Sequence, residues 1–219
     1  MLNFRRAVSG EKEFLEEITK NTVRGVVAYS FLMSAGGGFY DNFLCGEEEN
    51  EIKSVIFDTG DEYFLIFGEE FPLLFEKCTK TIMVYKKGEM RNTGAQRLEG
   101  KEIQEMYKLI SEKKQLSFDD ERRYVLRLRA KNAGLCEVFG IKKDGILVSC
   151  AAVSSLNEKF GLIADVFTKK EERGKGYALL CLSEAVNFIL GKGKIPMLLC
   201  DENMCAYYEK AGFEIYGKM

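Results

Sequence analysis

The run Val166-Phe167-Thr168-Lys169-Lys170-Glu171-Glu172-Arg173-Gly174-Lys175-Gly176-Tyr177-Ala178-Leu179-Leu180 constrains this chain more than any other stretch. A strand ends at Thr168, a short charged turn comes next, and two glycines open a strongly apolar helix. Strand, glycine turn and helix in that order commit this region to a mixed α and β architecture. Glycine lets the backbone approach a ligand with no Cβ in the way. The first turn of the helix presents unpaired N–H groups at the positive end of the helix dipole. A turn built this way binds phosphate. Arg173 and Lys175 add positive charge at the same place.

The elements around the run are legible from periodicity and turn residues. Lys101–Lys113 and Phe118–Asn132 read as helices. Leu135–Lys142 and Ile146–Leu156 read as strands about the turn Lys143-Asp144-Gly145, a hairpin signal. Lys159–Thr168 is the strand that enters the glycine turn, and Gly174–Leu190 is the helix that leaves it. Met197–Cys200 is a short buried strand, Glu202–Ala211 a helix stopped by Gly212, and Phe213–Lys218 a last strand. Before these come helices at Glu11–Lys20 and Val23–Met33, the run Gly36-Gly37-Gly38, and strands at Phe39–Cys45, Glu51–Asp58, Tyr63–Phe67 and Thr81–Tyr85. Turns are expected at Gly46–Asn50 and Thr59–Glu62, and a short helix at Phe71–Cys78. The polar, glycine-containing stretch from Met90 to Gly100 marks the expected boundary between a domain of residues 1–98 and one of residues 99–219.

Composition removes several chemistries. Histidine is absent from all 219 residues. That excludes the Ser-His-Asp triad, the Cys-His pair and histidine metal sites, leaving Asp, Glu, Tyr, Lys, Cys or water as acid and base. The seven cysteines form no C-x-x-C pair and sit mostly in apolar runs. They read as reduced core thiols of a cytosolic protein, with no zinc site or disulfide frame. Cys200 and Cys205 read as inert buried thiols, not as carriers of an acetyl group. Net charge is -2, which argues against a protein devoted to nucleic acid or an anionic membrane. Residues 1–98 carry 12 basic and 16 acidic side chains and residues 99–219 carry 20 and 18. The charged start MLNFRRAVSGEKEF is not a signal peptide, and no apolar run has the length of a membrane span.

Spacing separates the known phosphate loops. A Walker A loop requires Lys then Ser or Thr after its last glycine, but Tyr177 comes after Gly176. A dinucleotide fingerprint G-x-G-x-x-G fits Gly174 and Gly176 and then meets Leu179, with no parallel βαβ continuation. The pattern [RQ]-x-x-G-x-[GA] is filled by Arg173, Gly176 and Ala178. About 30 residues on, Tyr208-Glu209-Lys210-Ala211-Gly212-Phe213 stands on a helix between a short strand and a final strand. These two motifs, in this order and on these elements, resemble those of the GNAT (Gcn5-related N-acetyltransferase) family over residues 99–219.

The resemblance implies a GNAT acyl-CoA N-acyltransferase fold, a mixed and mostly antiparallel sheet flanked by helices. It implies transfer of an acetyl group from acetyl-CoA to a primary amine, by direct attack in a ternary complex and without metal. The strand ending at Thr168 would part from its neighbour and pair through Val166 and Thr168, with Phe167 between them, to the pantetheine arm. The loop Arg173, Gly174, Lys175, Gly176, Tyr177 and Ala178 would hold the pyrophosphate. The N–H of Val166 or a neighbour would meet the oxyanion. Tyr208 occupies the place of the tyrosine that returns a proton to the CoA thiolate. Asp165 and then Asp201 are the candidate bases, alongside a chain of water molecules. The family often has Asn seven residues before the tyrosine. Here that position is Asp201, and Asn203 lies nearby out of register as the candidate CoA contact.

Residues 1–98 run helix, helix, strand, strand, strand, which resembles the start of a GNAT core but lacks its glycine loop. The expectation is a degenerate, truncated GNAT-like half that packs on the catalytic half and walls the acceptor pocket. The rival is an unrelated α+β extension. The expected acceptor is a small-molecule or peptide amine. Two other functions compete: a catalytically weak or silent CoA-binding module that serves as a sensor or regulatory domain, and a nucleotide-binding protein that reuses the G-x-G turn. Leu179 and the second motif weigh against the latter.

Overall fold

The fold is that of a computed structural model, which describes residues 2–34, 42–59, 63–68, 80–91, 93–112 and 115–219. The expected Gly36–Gly38 loop and Phe71–Cys78 helix lie outside those residues. The first half holds β1 (Asn3–Arg6), α1 (Lys12–Lys20), α2 (Val26–Ser34), β2 (Phe43–Glu48), β3 (Glu51–Asp58) and β4 (Tyr63–Phe67). Then come β5 (Thr81–Tyr85), β6 (Gln96–Arg97), α3 (Lys101–Ser111), α4 (Phe118–Asn132), β7 (Glu137–Lys143), β8 (Ile146–Leu156) and β9 (Phe160–Thr168). The chain finishes with α5 (Tyr177–Gly191), β10 (Ile195–Cys200), α6 (Cys205–Lys210) and β11 (Phe213–Lys218).

Local chemistry accounts for these elements. Ser117 caps α4: the Asp120 N–H donates to its hydroxyl at 3.2 Å, and its own N–H donates to the Asp120 carboxylate at 3.2 Å, a reciprocal box. Asp144 and Gly145, the whole β7–β8 loop, take φ of 51° and 76°. Glu49 and Asn50 do the same between β2 and β3, at 53° and 63°. Two successive positive φ values give the turn whose twist matches the strands of a hairpin.

Strand boundaries differ from expectation where a glycine was read as a turn. Gly46 lies inside β2, because a Cβ there would stand 2.7 Å from the Phe4 ring of β1. The glycine admits an aromatic from the neighbouring strand. α5 begins at Tyr177 because Gly174 and Gly176 take φ of 78° and 81°, outside the helical region. β1 and β6 are short strands that no alternation announces.

The sheets repeat a pattern. The first has the order β1-β2-β3-β4, all antiparallel. The second has the order β11-β5-β10-β9-β8-β7-β6, with β9 and β10 parallel and the other pairs antiparallel. Strand, two helices and three sequential antiparallel strands thus occur twice, as β1–β4 and as β6–β9. β5, which precedes residue 98, lies between β10 and β11. The partition between sheets therefore falls before β5 and does not coincide with the residue 98 boundary. The linker after β5 is bolted to α5: the Met90 N–H donates to Asn187 Oδ1 at 2.8 Å and Asn187 Nδ2 donates to the Met90 carbonyl at 2.9 Å.

Three layers cover the second sheet. Met83, Tyr85, Val153, Ile163 and Leu198 face α5 and α6. The opposite face of β7 and β8 packs under α3 and α4. Ile82, Val84, Phe160, Leu162 and Met197 join one core with Leu15, Val26, Phe43 and Phe57 of the first half. The first half is thus packed on the same side of the second sheet as α3 and α4. Asn157 secures the contact, donating to the carbonyls of Thr19 and Thr22 at 2.9 Å each.

Candidate acetyl-CoA site

The site begins where β9 and β10 separate. They pair over Phe160–Ile163 and Ile195–Leu198 only. Over Ala164–Phe167 the residues of β9 change from buried to half-buried, and Leu199 and Cys200 keep only their pairing with β5 on the other edge of β10. Parallel neighbours that part leave backbone N–H and C=O groups on facing edges with no ladder partner. That is the opening expected at the strand ending in Thr168.

β9 also kinks there. Ala164 stands opposite Ala152 and Phe167 opposite Cys150, so β9 holds one residue more than β8 across this interval. Such an extra residue is a β-bulge. Asp165 takes φ of 54°, the left-handed region that few non-glycine residues enter. Past the kink, Val166 packs toward the α5 core and Phe167 toward the α3–α4 core. Thr168 is buried, its hydroxyl 2.8 Å from that of Ser149.

Asp165 points toward α4. Arg127 Nη2 donates to its carboxylate at 2.6 Å, and Arg127 Nε donates to the Tyr107 hydroxyl at 2.9 Å. Burial raises the pKa of Tyr107, which keeps it a neutral hydroxyl. Cys150 Sγ donates to the Asp165 carbonyl at 3.3 Å. α4 carries four arginines, and no local signal in the sequence marks Arg127 as the one that turns inward. The clue available was an aspartate inside a strand, where that residue is disfavoured.

The glycine turn leaves the first turn of α5 open. Gly176 is the N-cap of α5 and no side chain caps that end. A Cβ on Gly174 or Gly176 would meet nothing within 4 Å, so these residues are glycine for their backbone angles and the space they leave. The first turn of α5 contains no acidic residue. Gly161 on β9 serves packing instead: a Cβ there would lie 2.7 Å from Ile189 of α5. Arg173 folds back, its Nε donating to the Thr168 carbonyl at 3.1 Å and its guanidinium lying 5.9 Å from the Phe167 ring. It ties the loop to the strand. Lys175 Nζ donates to Glu172 at 2.7 Å, and Lys143 reaches the same carboxylate at 3.2 Å. Those two ammonium groups hold Glu172 below the usual carboxylate range. The half-buried Tyr177 and Ala178 begin the helix.

Tyr208 lies on α6, buried, with its ring 5.1 Å from Tyr207 and 6.0 Å from Phe213 in edge-on contacts. It belongs to the apolar cluster on which Val166 packs. Its hydroxyl has no hydrogen-bond partner among the described residues. Burial pushes its pKa up to about 12, so it carries its proton at neutral pH. Asp201 pairs with Lys80 at 2.7 Å, and Asn203 is exposed on the turn that precedes α6. Val166, Thr168 and the Arg173–Ala178 loop thus follow one another from the end of β9 into α5, Tyr208 shares the apolar cluster of Val166, and Asp165 lies on the opposite face of the strand. A hollow of about 590 Å³ lined by Arg97, Glu184, Asn187, Phe188 and Lys192 lies along the second half of α5, away from its first turn. Among the described residues no cluster of side chains is arranged to hold a metal ion, and no helix is long and apolar enough to cross a membrane.

Residues 103–213, half of the chain, match the acetyltransferase (GNAT) family. No curated protein matches the chain. An acetyltransferase of the GNAT family from Colwellia psychrerythraea superposes with a TM-score of 0.60 at 9% identity, covering 100% of this chain and 97% of that one. A tandem GNAT protein from the clavulanic acid biosynthesis pathway gives 0.57 at 10%, covering 100% and 96%. A protein assigned to the GNAT acetyltransferases of Novosphingobium aromaticivorans gives 0.52 at 18%, covering 65% of this chain. The chain spans 61% of that last protein. At these identities the likeness is one of fold, and the two full-length matches extend it to the first half, which is GNAT-like.

Proposed function

The chain belongs to the GNAT acetyltransferase family, and from that premise we propose that it moves an acetyl group from acetyl-CoA to a primary amine by direct attack in a ternary complex. One observation carries this reading: β9 and β10 part at Ile163, and β9 then runs into an uncapped helix end opened by two left-handed glycines. Such a parting offers backbone groups to the amides of a pantetheine arm, and the α5 end offers N–H groups to a pyrophosphate.

In this reading the acceptor amine attacks as the free base, since an ammonium has no lone pair. The N–H of Val166 meets the oxyanion as the carbonyl carbon becomes tetrahedral. Collapse expels the CoA thiolate, Tyr208 supplies its proton, and the proton that the attacking nitrogen loses passes through solvent, from which the phenolate regains one. The loop Arg173–Ala178 at the start of α5 holds the diphosphate end, and Asn203 is the candidate contact to the CoA arm. The second half supplies this machinery. The first half, packed on the α4 side of the sheet, walls the acceptor pocket for a small-molecule or peptide amine. The six described cysteines are free and buried, which suits a reducing compartment such as the cytosol.

The test is an acetylation screen over polyamines, amino acids, aminoglycosides and peptide N-termini, scored by CoA release. The reading predicts amine-dependent release with at least one class. Stabilisation against heat by acetyl-CoA with no release across the panel points to a CoA-binding sensor instead.

A further inference from the structure

Arg127 belongs to neither sequence motif, yet it is the charged group most committed to the shape of the site. Its side chain is 14% exposed and that of Asp165 is 27% exposed. One guanidinium nitrogen, Nη1, is the buried side-chain polar atom left without a partner among the described residues. A charge buried this far adds little net stability, because desolvation consumes what the ion pair returns. Its effect here is on geometry. A non-glycine residue persists in the left-handed region inside a strand only where its surroundings over-determine it. Three contacts do so for Asp165: its carboxylate is fixed by Arg127, Arg127 is oriented by Tyr107, and its carbonyl accepts from Cys150.

The kink follows directly on the parting of β9 from β10. Asp165 and Val166 have no residue opposite them in the β8 register, and β10 has already left. We infer that Arg127 is a positioning residue: through Asp165 it holds the left-handed kink of β9 and so aims the Val166 amide at the thioester carbonyl. This rests on the acetyl-transfer reading above. It assigns Asp165 to the backbone of the site, with its carboxylate occupied by Arg127, and leaves deprotonation of the amine to solvent.

Two double variants test it, both lacking the ion pair and differing only in whether residue 165 tolerates a positive φ. Glycine adopts it freely and valine does not. Affinities for acetyl-CoA and for CoA, which lacks the carbonyl, are measured by calorimetry on the full chain after circular dichroism confirms folding. Arg127→Met with Asp165→Gly is expected to keep both affinities within about threefold of the unmodified protein. Arg127→Met with Asp165→Val is expected to lose about tenfold for acetyl-CoA while CoA stays within about threefold. If the valine variant does not fold, alanine replaces it with the same ordering expected. Glycine and valine (or alanine) variants with the same acetyl-CoA to CoA ratio overturn the inference while acetyl-CoA binding by the unmodified protein upholds the wider reading. Failure of the unmodified protein to bind acetyl-CoA overturns both.

Discussion

The two halves of this protein share a scaffold and differ in the segment just past its last strand. β1–β4 and β6–β9 have the same order, the same antiparallel pairing and the same two-residue turn after the second strand. After β9 the chain reads Lys169-Lys170-Glu171-Glu172-Arg173-Gly174-Lys175-Gly176, with four basic and two acidic side chains. After β4 the sequence reads Gly68-Glu69-Glu70-Phe71-Pro72, with two acidic side chains, no basic one and no second glycine. The scaffold is what packing requires, and among the described residues the second half adds α5, β10, α6 and β11 after it. Fold alone therefore says little about which half binds a ligand.

The halves are also unequal in independence, and the largest predicted effect comes from that. β5 fills the space between β10 and β11, and all five of its residues are buried. Ile82, Met83 and Val84 contribute about 1.5–3 kcal/mol each by burial, against a net stability of about 5–15 kcal/mol for a typical domain. A chain of residues 99–219 also exposes the β10 and β11 edges that β5 covers and the β7 edge that β6 covers. It is expected to be insoluble or to lack a cooperative melt by circular dichroism. A melt close to that of the full chain would show the halves to be separable.

The next effect concerns rate. Tyr208→Phe keeps the ring among Tyr207 and Phe213 and removes the donor. Single-turnover acetyl transfer should fall by roughly 10²-fold while acetyl-CoA affinity changes little. An unchanged rate would return Tyr208 to a packing role and erase one difference between the halves.

Two glycines with nearly the same φ sharpen the comparison at a smaller scale. Gly68 (79°) closes β4, and a Cβ there would stand 2.2 Å from the Lys53 carbonyl. Gly176 (81°) opens α5 onto empty space. Gly176→Asp should cost at least about tenfold in acetyl-CoA affinity, about 1.4 kcal/mol, by calorimetry. Gly68→Ala should lower the melting temperature and leave the affinity of the folded fraction unchanged. The reverse outcome would exchange the roles assigned to the two turns.

Much of this is legible in the sequence, for identifiable reasons. β3, β4, β5, β8 and β11 and the helix α4 end where expected, because turn residues or a cap bound them on both sides. The glycine turn and the α6 motif are legible because their residues are close in sequence. The partner of β5 is not, since a strand's alternation records a buried face and never which edge it joins. β1 escapes notice because its four residues, Asn-Phe-Arg-Arg, owe their extension to pairing with β2. The kink at Asp165 is hidden for a related reason: its anchors come from α3, α4 and β8.

The smallest predicted effect is on stability at high pH. Burial raises the pKa of Tyr208 from 10.0 to about 12 in the folded chain. The unfolded tyrosine ionises first, so the stability tied to its neutral form is complete below pH 10 and is lost as pH rises toward 12. Between those values Tyr208→Phe should lose less melting temperature than the unmodified protein. Parallel pH curves would place the hydroxyl in water.

The central claim is that a duplicated scaffold carries one acetyl-CoA site, in its second half. Calorimetric titration of the full chain with acetyl-CoA measures this directly. The account predicts one molecule bound per chain, with Gly176→Asp weakening that single site and with NAD and ATP giving no heat. Two molecules per chain, or full binding by folded Gly176→Asp, would contradict it.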